Sequence, residues 1–236
     1  TNHHVIENAD QIRVRLDDGR SFEAKVVGAD PEADVAVIQI PAQGLQAINI
    51  GDSAALRVGD FVVAIGNPFG LSQTATSGIV SALGRSRKGI DGYEDFIQTD
   101  ASINFGNSGG ALVNLRGELI GVNTAILARG GGNVGIGFAI PVNMVMSLTA
   151  QIIEFGEVRR GRLGVHIQDL TPELAQAFGI ETGSGALISK VMPDSAAQAA
   201  DLREGDVITM VDGRAIKGAA ELRNVIGLAR ADEEIE

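Results

Sequence analysis

The 236-residue chain contains no cysteine and no tryptophan, a single tyrosine and only three histidines. Without cysteine, disulfides, zinc–thiolate sites and a thiol nucleophile are excluded. The same absence says nothing about compartment, because a cysteine-free chain tolerates reducing and oxidising surroundings alike. The three histidines lack metal-ligand spacing, so no metal site and no cofactor is expected. No window approaches the about 18 apolar residues of a membrane span, and no secretory signal pattern is present. The chain opens at Thr1-Asn2-His3-His4 without an initiator Met and closes on Asp232-Glu233-Glu234-Ile235-Glu236. It therefore reads as a fragment or processed piece, for which missing targeting signals carry no information. Basic residues are the minority, 19 Lys and Arg against 30 Asp and Glu, and the net charge of −11 argues against non-specific nucleic-acid binding. Arg85-Ser86-Arg87-Lys88 and Arg159-Arg160-Gly161-Arg162 read as solvated loop or linker charges.

What is abundant is hydrophobic residues, at 44%, and glycine, at 31 positions. The first is enough for a sizeable core, and the second suits short strands and turns. Ile12, Val14 and Leu16 alternate with polar residues, Asp17-Asp18-Gly19-Arg20 signals a hairpin, and Phe22, Ala24 and Val26 resume the alternation. Further strands are expected at 35–40, 61–65, 97–99, 112–113, 119–122 and 135–140. The first convincing helix is 142–155, with Pro141 at its start and Gly156 just after its end. Beyond a linker at 158–162 the pattern changes to mixed strands (163–167, 186–191, 207–211) and helices (172–178, one starting at Ser195, 219–228). The fold class is thus mainly β over residues 1–157, followed by a small α+β module at 163–236.

Gly106-Asn107-Ser108-Gly109-Gly110 is the stretch richest in chemistry. Glycines let a serine sit on a tight exposed turn whose N–H groups can converge on an oxyanion. Taken alone, the string is equally an ordinary glycine-rich loop. A serine hydroxyl needs an adjacent base. His166 lies in the second module and reads as a surface or groove-edge side chain, which leaves His3 and His4. The orienting carboxylate is expected at Asp34, directly before the apolar run 35–38, whereas Asp30 and Glu32 sit nearer the turn and are expected to be exposed. The order His, Asp, Ser is that of chymotrypsin and differs from those of subtilisin and the α/β-hydrolases.

Five segments carry a specific resemblance. They are Thr1-Asn2-His3-His4-Val5-Ile6, Asp30-Pro31-Glu32-Ala33-Asp34-Val35-Ala36-Val37-Ile38, Ala64-Ile65-Gly66-Asn67-Pro68-Phe69-Gly70, Thr99-Asp100-Ala101 running on through Gly106-Asn107-Ser108-Gly109-Gly110, and Asn133-Val134-Gly135-Ile136-Gly137-Phe138. Together they resemble the bacterial HtrA/Deg serine proteases, and the DegP/DegQ branch in particular, while the second module resembles that family's PDZ domain. The resemblance implies a chymotrypsin-like double β-barrel whose first barrel is incomplete here, then a PDZ domain short of its last strand. It implies a periplasmic serine endopeptidase of protein quality control that forms a homotrimer or larger assembly. It puts the base on His4, the acid on Asp34, the nucleophile on Ser108, and the oxyanion hole on the N–H groups of Gly106, Asn107 and Ser108. Phe105 stands where the branch often has Arg.

The resemblance lines the P1 pocket with Ser102, Ile103, Asn123, Thr124, Ala125 and Ile126. No acidic residue occupies 101–107, so cleavage is expected after small or medium aliphatic residues, which selects unfolded chains as substrates. Glycine-rich loops at 69–76, 84–93 and 128–133 are expected to rearrange between resting and active states. Arg162-Leu163-Gly164-Val165 matches the PDZ carboxylate-binding loop, with the helix at 219–228 as the facing wall of a groove for C-terminal peptides. An incomplete barrel leaves strand edges open, so low stability and weak activity are expected of the chain by itself. The competing reading is a non-catalytic chaperone or peptide-binding protein that keeps the fold and the groove.

Overall fold

The computed structural model describes residues 1–67, 73–86, 93–126, 133–180, 184–230 and 234–236. Most of the expected rearranging loops (68–72, 87–92 and 127–132) therefore lie outside the described residues. Two compact units form, Thr1–Val158 and Arg159–Glu236. Gly161, expected in the linker, donates its N–H to the Ala229 carbonyl at 3.2 Å and so packs with the second unit.

In the first unit a single helical turn, α1 (His3–Ile6), precedes two separate antiparallel pairs, β1 (Arg13–Arg15) with β2 (Ser21–Glu23) and β3 (Lys25–Asp30) with β4 (Val35–Gln39). Six further strands close into an antiparallel barrel: β5 (Phe61–Gly66), β6 (Thr74–Arg85), β7 (Phe96–Thr99), β8 (Ala111–Asn114), β9 (Leu119–Ile126) and β10 (Gly137–Pro141). Their order round the barrel is β10-β7-β6-β5-β8-β9. Period-two alternation explains the inside of the barrel, since Val62 and Ala64 point in while Phe61 and Ile65 point out. Val80, Ile97, Ile103, Leu112 and Ile120 complete the core. Each large side chain buried there contributes about 1.5–3 kcal/mol of transfer free energy. Helix α2 (Val142–Phe155) follows Pro141 and stops at Gly156, whose left-handed conformation lets its N–H reach the Ile152 carbonyl. Met144, Leu148 and Ile152, one helical turn apart, form its buried face.

The second unit holds a three-stranded sheet ordered β11 (Val165–Asp169), β12 (Ala186–Val191), β13 (Val207–Ile208), so β11 is an outer strand. The single strand expected at 207–211 divides into β13 and β14 (Met210–Val211), and β14 pairs with β15 (Arg214–Ala215). Thr171 and Ser195 cap α3 (Pro172–Phe178) and α4 (Ala196–Ala199) with their side-chain oxygens. Helix α5 (Ala219–Leu228) buries Leu222 and Ile226 against Ala186, Val211 and Ile216.

Two expectations fail for identifiable reasons. Asp30 is only 3% exposed, because β3 runs through it and pairs it with Val35, whereas Glu32 in the turn is exposed as expected. Residues 74–76 and 84–85, expected as loop, belong to the twelve-residue strand β6. Gly78 is a strand residue at which another backbone approaches, and an added Cβ would collide with Ala101 N and the Asp100 carboxylate. Gly78→Ala is accordingly expected to destabilise the first unit by about 1–3 kcal/mol. Thermal denaturation checks this, and an unchanged midpoint contradicts it.

Candidate active site

The geometry centres on Asp34. It occupies a left-handed backbone conformation, φ 56°, which Asp tolerates better than most residues. This turns both its carbonyl and its carboxylate toward the chain start. Asn2 Nδ2 donates to the Asp34 carbonyl at 2.9 Å, and His3 N–H donates to the same oxygen at 3.3 Å. His4 N–H donates to Asp34 Oδ1 at 3.0 Å. The His4 ring then lies over the carboxylate, with Nδ1 2.9 Å from Oδ1 and 2.8 Å from Oδ2. A carboxylate only accepts, so the ring proton of neutral His4 sits on Nδ1 and Nε2 is left as the acceptor. The two side chains are 45% and 22% exposed, so the pair opens to solvent from the histidine side.

Ser108 sits on a turn built almost wholly by backbone bonds. Asn107 N–H donates to the Asn104 carbonyl at 3.0 Å, and Gly110 N–H to the Asn107 carbonyl at 3.0 Å. Gly109 and Gly110 exchange bonds with Asn123, Gly109 N–H to Asn123 O and Asn123 N–H to Gly110 O, both at 2.9 Å. Gly109 has φ 78°, and the Thr1 side chain fills the space a Cβ would take. The segment before His4 therefore packs directly against the serine turn.

Thr124 joins the two halves. Its Oγ1 donates to Asp34 Oδ2 at 2.5 Å, and its carbonyl accepts the Ser108 hydroxyl at 3.0 Å. Among the described residues Ser108 makes no hydrogen bond to His4. The N–H groups of Gly106 and Ser108 meet no protein acceptor among the described residues. The N–H of Asn107, expected to share the oxyanion hole with them, is committed to Asn104 and turned into its own loop.

The expected pocket residues separate into two kinds. Ser102 is exposed, while Ile103 is buried in the barrel core. Asn123 is a correction: it is fully buried, and its Nδ2 ties Ile65 O and Ala111 O at 3.2 and 3.1 Å, so it supports the turn instead of lining a pocket. Ala125 and Ile126 lie on β9, with side chains outside the described set. Sequence reasoning did not single out Asn2 or Asn133. Asn133 N–H donates to Asn104 Oδ1 at 3.1 Å and its Nδ2 to Ile103 O at 2.9 Å, clasping the approach to the serine turn. Both asparagines lie in segments that carry the resemblance, Thr1-Asn2-His3-His4 and Asn133-Val134-Gly135, but nothing local shows what either side chain would hold. A concave groove of about 660 Å³ lined by Glu23, Lys25, Gln39 and Pro41 shares no residue with this site.

In the second unit, Leu163 and Gly164 offer their carbonyls to Ala197 N and Met192 N, both at 2.9 Å, while their own N–H groups meet no protein acceptor among the described residues. Arg162 is exposed, and Val165 opens β11. Leu163, Ile167 and Val225 are part-buried around the same core. His166 is exposed on β11, as a surface position should be.

Asn123→Ala leaves two carbonyls without their donor, and such losses cost about 1–3 kcal/mol. A lowered thermal midpoint is expected, and an unchanged one would show that the amide does not hold the turn.

Comparison with known proteins places both units. Residues 1–122 match the trypsin-like peptidase domain model and residues 151–236 the PDZ domain model. The chain is 60% identical over 228 residues to the periplasmic serine endoprotease DegP of Salmonella typhimurium, covering 96% of this chain and 48% of that protein. It is 54% identical over 238 residues to the periplasmic pH-dependent serine endoprotease DegQ of Escherichia coli, covering 100% of this chain and 52% of that protein. The chain thus spans about half the length of these curated relatives. Among solved structures, the HtrA-type protease AlgW with tripeptide superimposes with a TM-score of 0.84 at 49% identity, covering 98% of this chain and 76% of that one.

Proposed function

The chain belongs to the HtrA family of serine proteases, with a trypsin-like peptidase domain followed by a PDZ domain, and on that premise we propose that it is a serine endopeptidase using Ser108, His4 and Asp34. The observation that carries the reading is the Asp34 carboxylate, held by three donors, with His4 Nδ1 at 2.8–2.9 Å and the serine turn joined to it through Thr124.

In this mechanism His4 Nε2 takes the proton as Ser108 Oγ attacks the scissile carbonyl, and Asp34 stabilises the imidazolium. His4 then returns the proton to the leaving amine, and water repeats the sequence on the acyl-enzyme. Ser108 Oγ first leaves the Thr124 carbonyl by rotating about its Cα–Cβ bond, so the arrangement described is a resting one. The oxyanion is received by the N–H groups of Gly106 and Ser108, each worth a few kcal/mol in such a site. The P1 side chain meets exposed Ser102 and the β9 stretch from Thr124 to Ile126, while Ile103 is buried in the barrel core. No carboxylate stands among residues 101–107, so small and medium aliphatic side chains are favoured over Lys or Arg. Folded proteins bury such residues, which makes unfolded chains the natural substrate class and quality control the role. The relatives' names, which describe periplasmic endoproteases, support the same compartment for this protein.

The PDZ unit binds C-terminal peptides as an added strand on the outer edge of β11. The N–H groups of Leu163 and Gly164, which meet no acceptor among the described residues, receive the carboxylate with Arg162 and Val165 beside them, and Leu163, Ile167 and Val225 receive the last apolar side chain. Occupation of this groove regulates the peptidase.

One observation favours a second reading, a chaperone without proteolysis: the Ser108 hydroxyl is engaged by Thr124 and not by His4. Hydrolysis of fluorogenic peptides separates the two. A Val-P1 substrate should be cleaved well above its Arg-P1 counterpart, and Asp34→Asn should lower kcat by about 10⁴-fold, as when a triad carboxylate is neutralised elsewhere. Preference for Arg, or turnover unaffected in Asp34→Asn, would refute the assignment.

A further inference from the structure

Helix α5 needs an N-terminal cap that its own sequence does not supply. Its N-cap residue is Gly218, which has no side chain to offer. The Ala219 N–H is met instead by Asp169 Oδ1 at 2.8 Å, a carboxylate fifty residues earlier at the last position of β11. At the other end of the helix, the Ala229 carbonyl accepts the Gly161 N–H at 3.2 Å, just before the Arg162-Leu163-Gly164 loop. Both ends of α5 are therefore fastened to the 161–169 segment. Between these fastenings lie the apolar side chains of Leu163 and Ile167 on one side and Leu222, Val225 and Ile226 on the other.

Strand β11 and helix α5 are the two walls of the groove proposed above, and this inference rests on that reading. We propose that Asp169 is a positioning residue for peptide binding: its carboxylate sets the distance between the walls at the upstream end, as the Gly161 bond does at the loop end. The mechanism is mechanical. A helix N-terminus exposes N–H donors and a positive dipole end, and an anion accepting there stabilises it. Here the anion belongs to the opposite wall, so capping the helix and spacing the groove are one interaction. Arg214 and Lys217 face Glu221 on the first turn of α5, with Arg214 Nη2 3.2 Å from Glu221 Oε1 and the Lys217 N–H donating to Oε2 at 2.9 Å, so they leave Asp169 as the acceptor for Ala219. Without Asp169 the first turn of α5 frays and the groove loses its fixed width, which weakens binding without removing any peptide contact.

The test uses the whole chain and a fluorescein-labelled decapeptide ending in a free valine carboxylate, with the C-terminal amide of the same peptide as control. Asp169→Ala is expected to weaken binding about five- to tenfold, the size of a lost helix cap. Asp169→Asn keeps an acceptor oxygen and should stay within about twofold of the parent. Thr171→Ala removes the cap of α3 instead, so it should lower the thermal midpoint to a similar degree while leaving peptide affinity unchanged. Hydrogen exchange at residues 219–222 should accelerate in Asp169→Ala alone. Equal affinity in Asp169→Ala and the parent overturns the proposal, as does Thr171→Ala weakening the peptide equally. If the parent fails to bind the free acid better than the amide, the groove reading itself falls, which the affinity of the parent shows before any variant is compared.

Discussion

The hold that Asn2, His3 and His4 exert on Asp34 is the constraint on which the rest of the candidate site depends. One aspartate in a left-handed turn spends its carbonyl on Asn2 and His3 and its carboxylate on His4 and Thr124. Each bond is modest, and bonds to a charged acceptor are worth about 1.5–3 kcal/mol apiece. Their joint effect is geometric. They place an imidazole in one tautomer, facing outward, at the meeting point of an N-terminal helical turn, a β-hairpin and the closed barrel.

Thr124 carries that constraint to Ser108, the proposed nucleophile. It is buried, ninety residues from Asp34 in sequence, and it touches the acid with its hydroxyl and the serine with its carbonyl. The turn bearing Ser108 gains its shape from Asn123 next door, whose backbone pairs with Gly109 and Gly110 and whose side chain ties two strands. Adjacent residues of β9 thus serve separate ends, one orienting the charge and the other shaping the turn. The barrel, closed on itself and filled by branched side chains, supplies the rigidity that such a loop-borne site needs.

Much of this was legible in the residues. Alternation and turn signals placed most strands of the barrel, and Pro141 with Gly156 bracketed α2 correctly. The contact between His4 and Asp34 was legible because their neighbours form long motifs in a distinctive order. The failures share a cause, which is contact across sequence distance. Residues 74–76 and 84–85 read as loop because their strand is defined by pairing with β5 and β7. Asp30 reads as exposed because its burial comes from the pairing of β3 with β4. Asn123 reads as pocket lining, although its side chain is spent on Ile65 and Ala111, neither of them local. Nothing local to Asp169 announces the helix it caps fifty residues later.

The central claim is that Ser108 is an activated nucleophile whose reactivity flows from Asp34 through His4. Labelling with a fluorophosphonate, followed by peptide mapping, reads this directly and needs no knowledge of the natural substrate. Covalent modification at Ser108 in the parent, abolished in His4→Ala, is the predicted result. An unlabelled parent, or labelling that persists without His4, would contradict it.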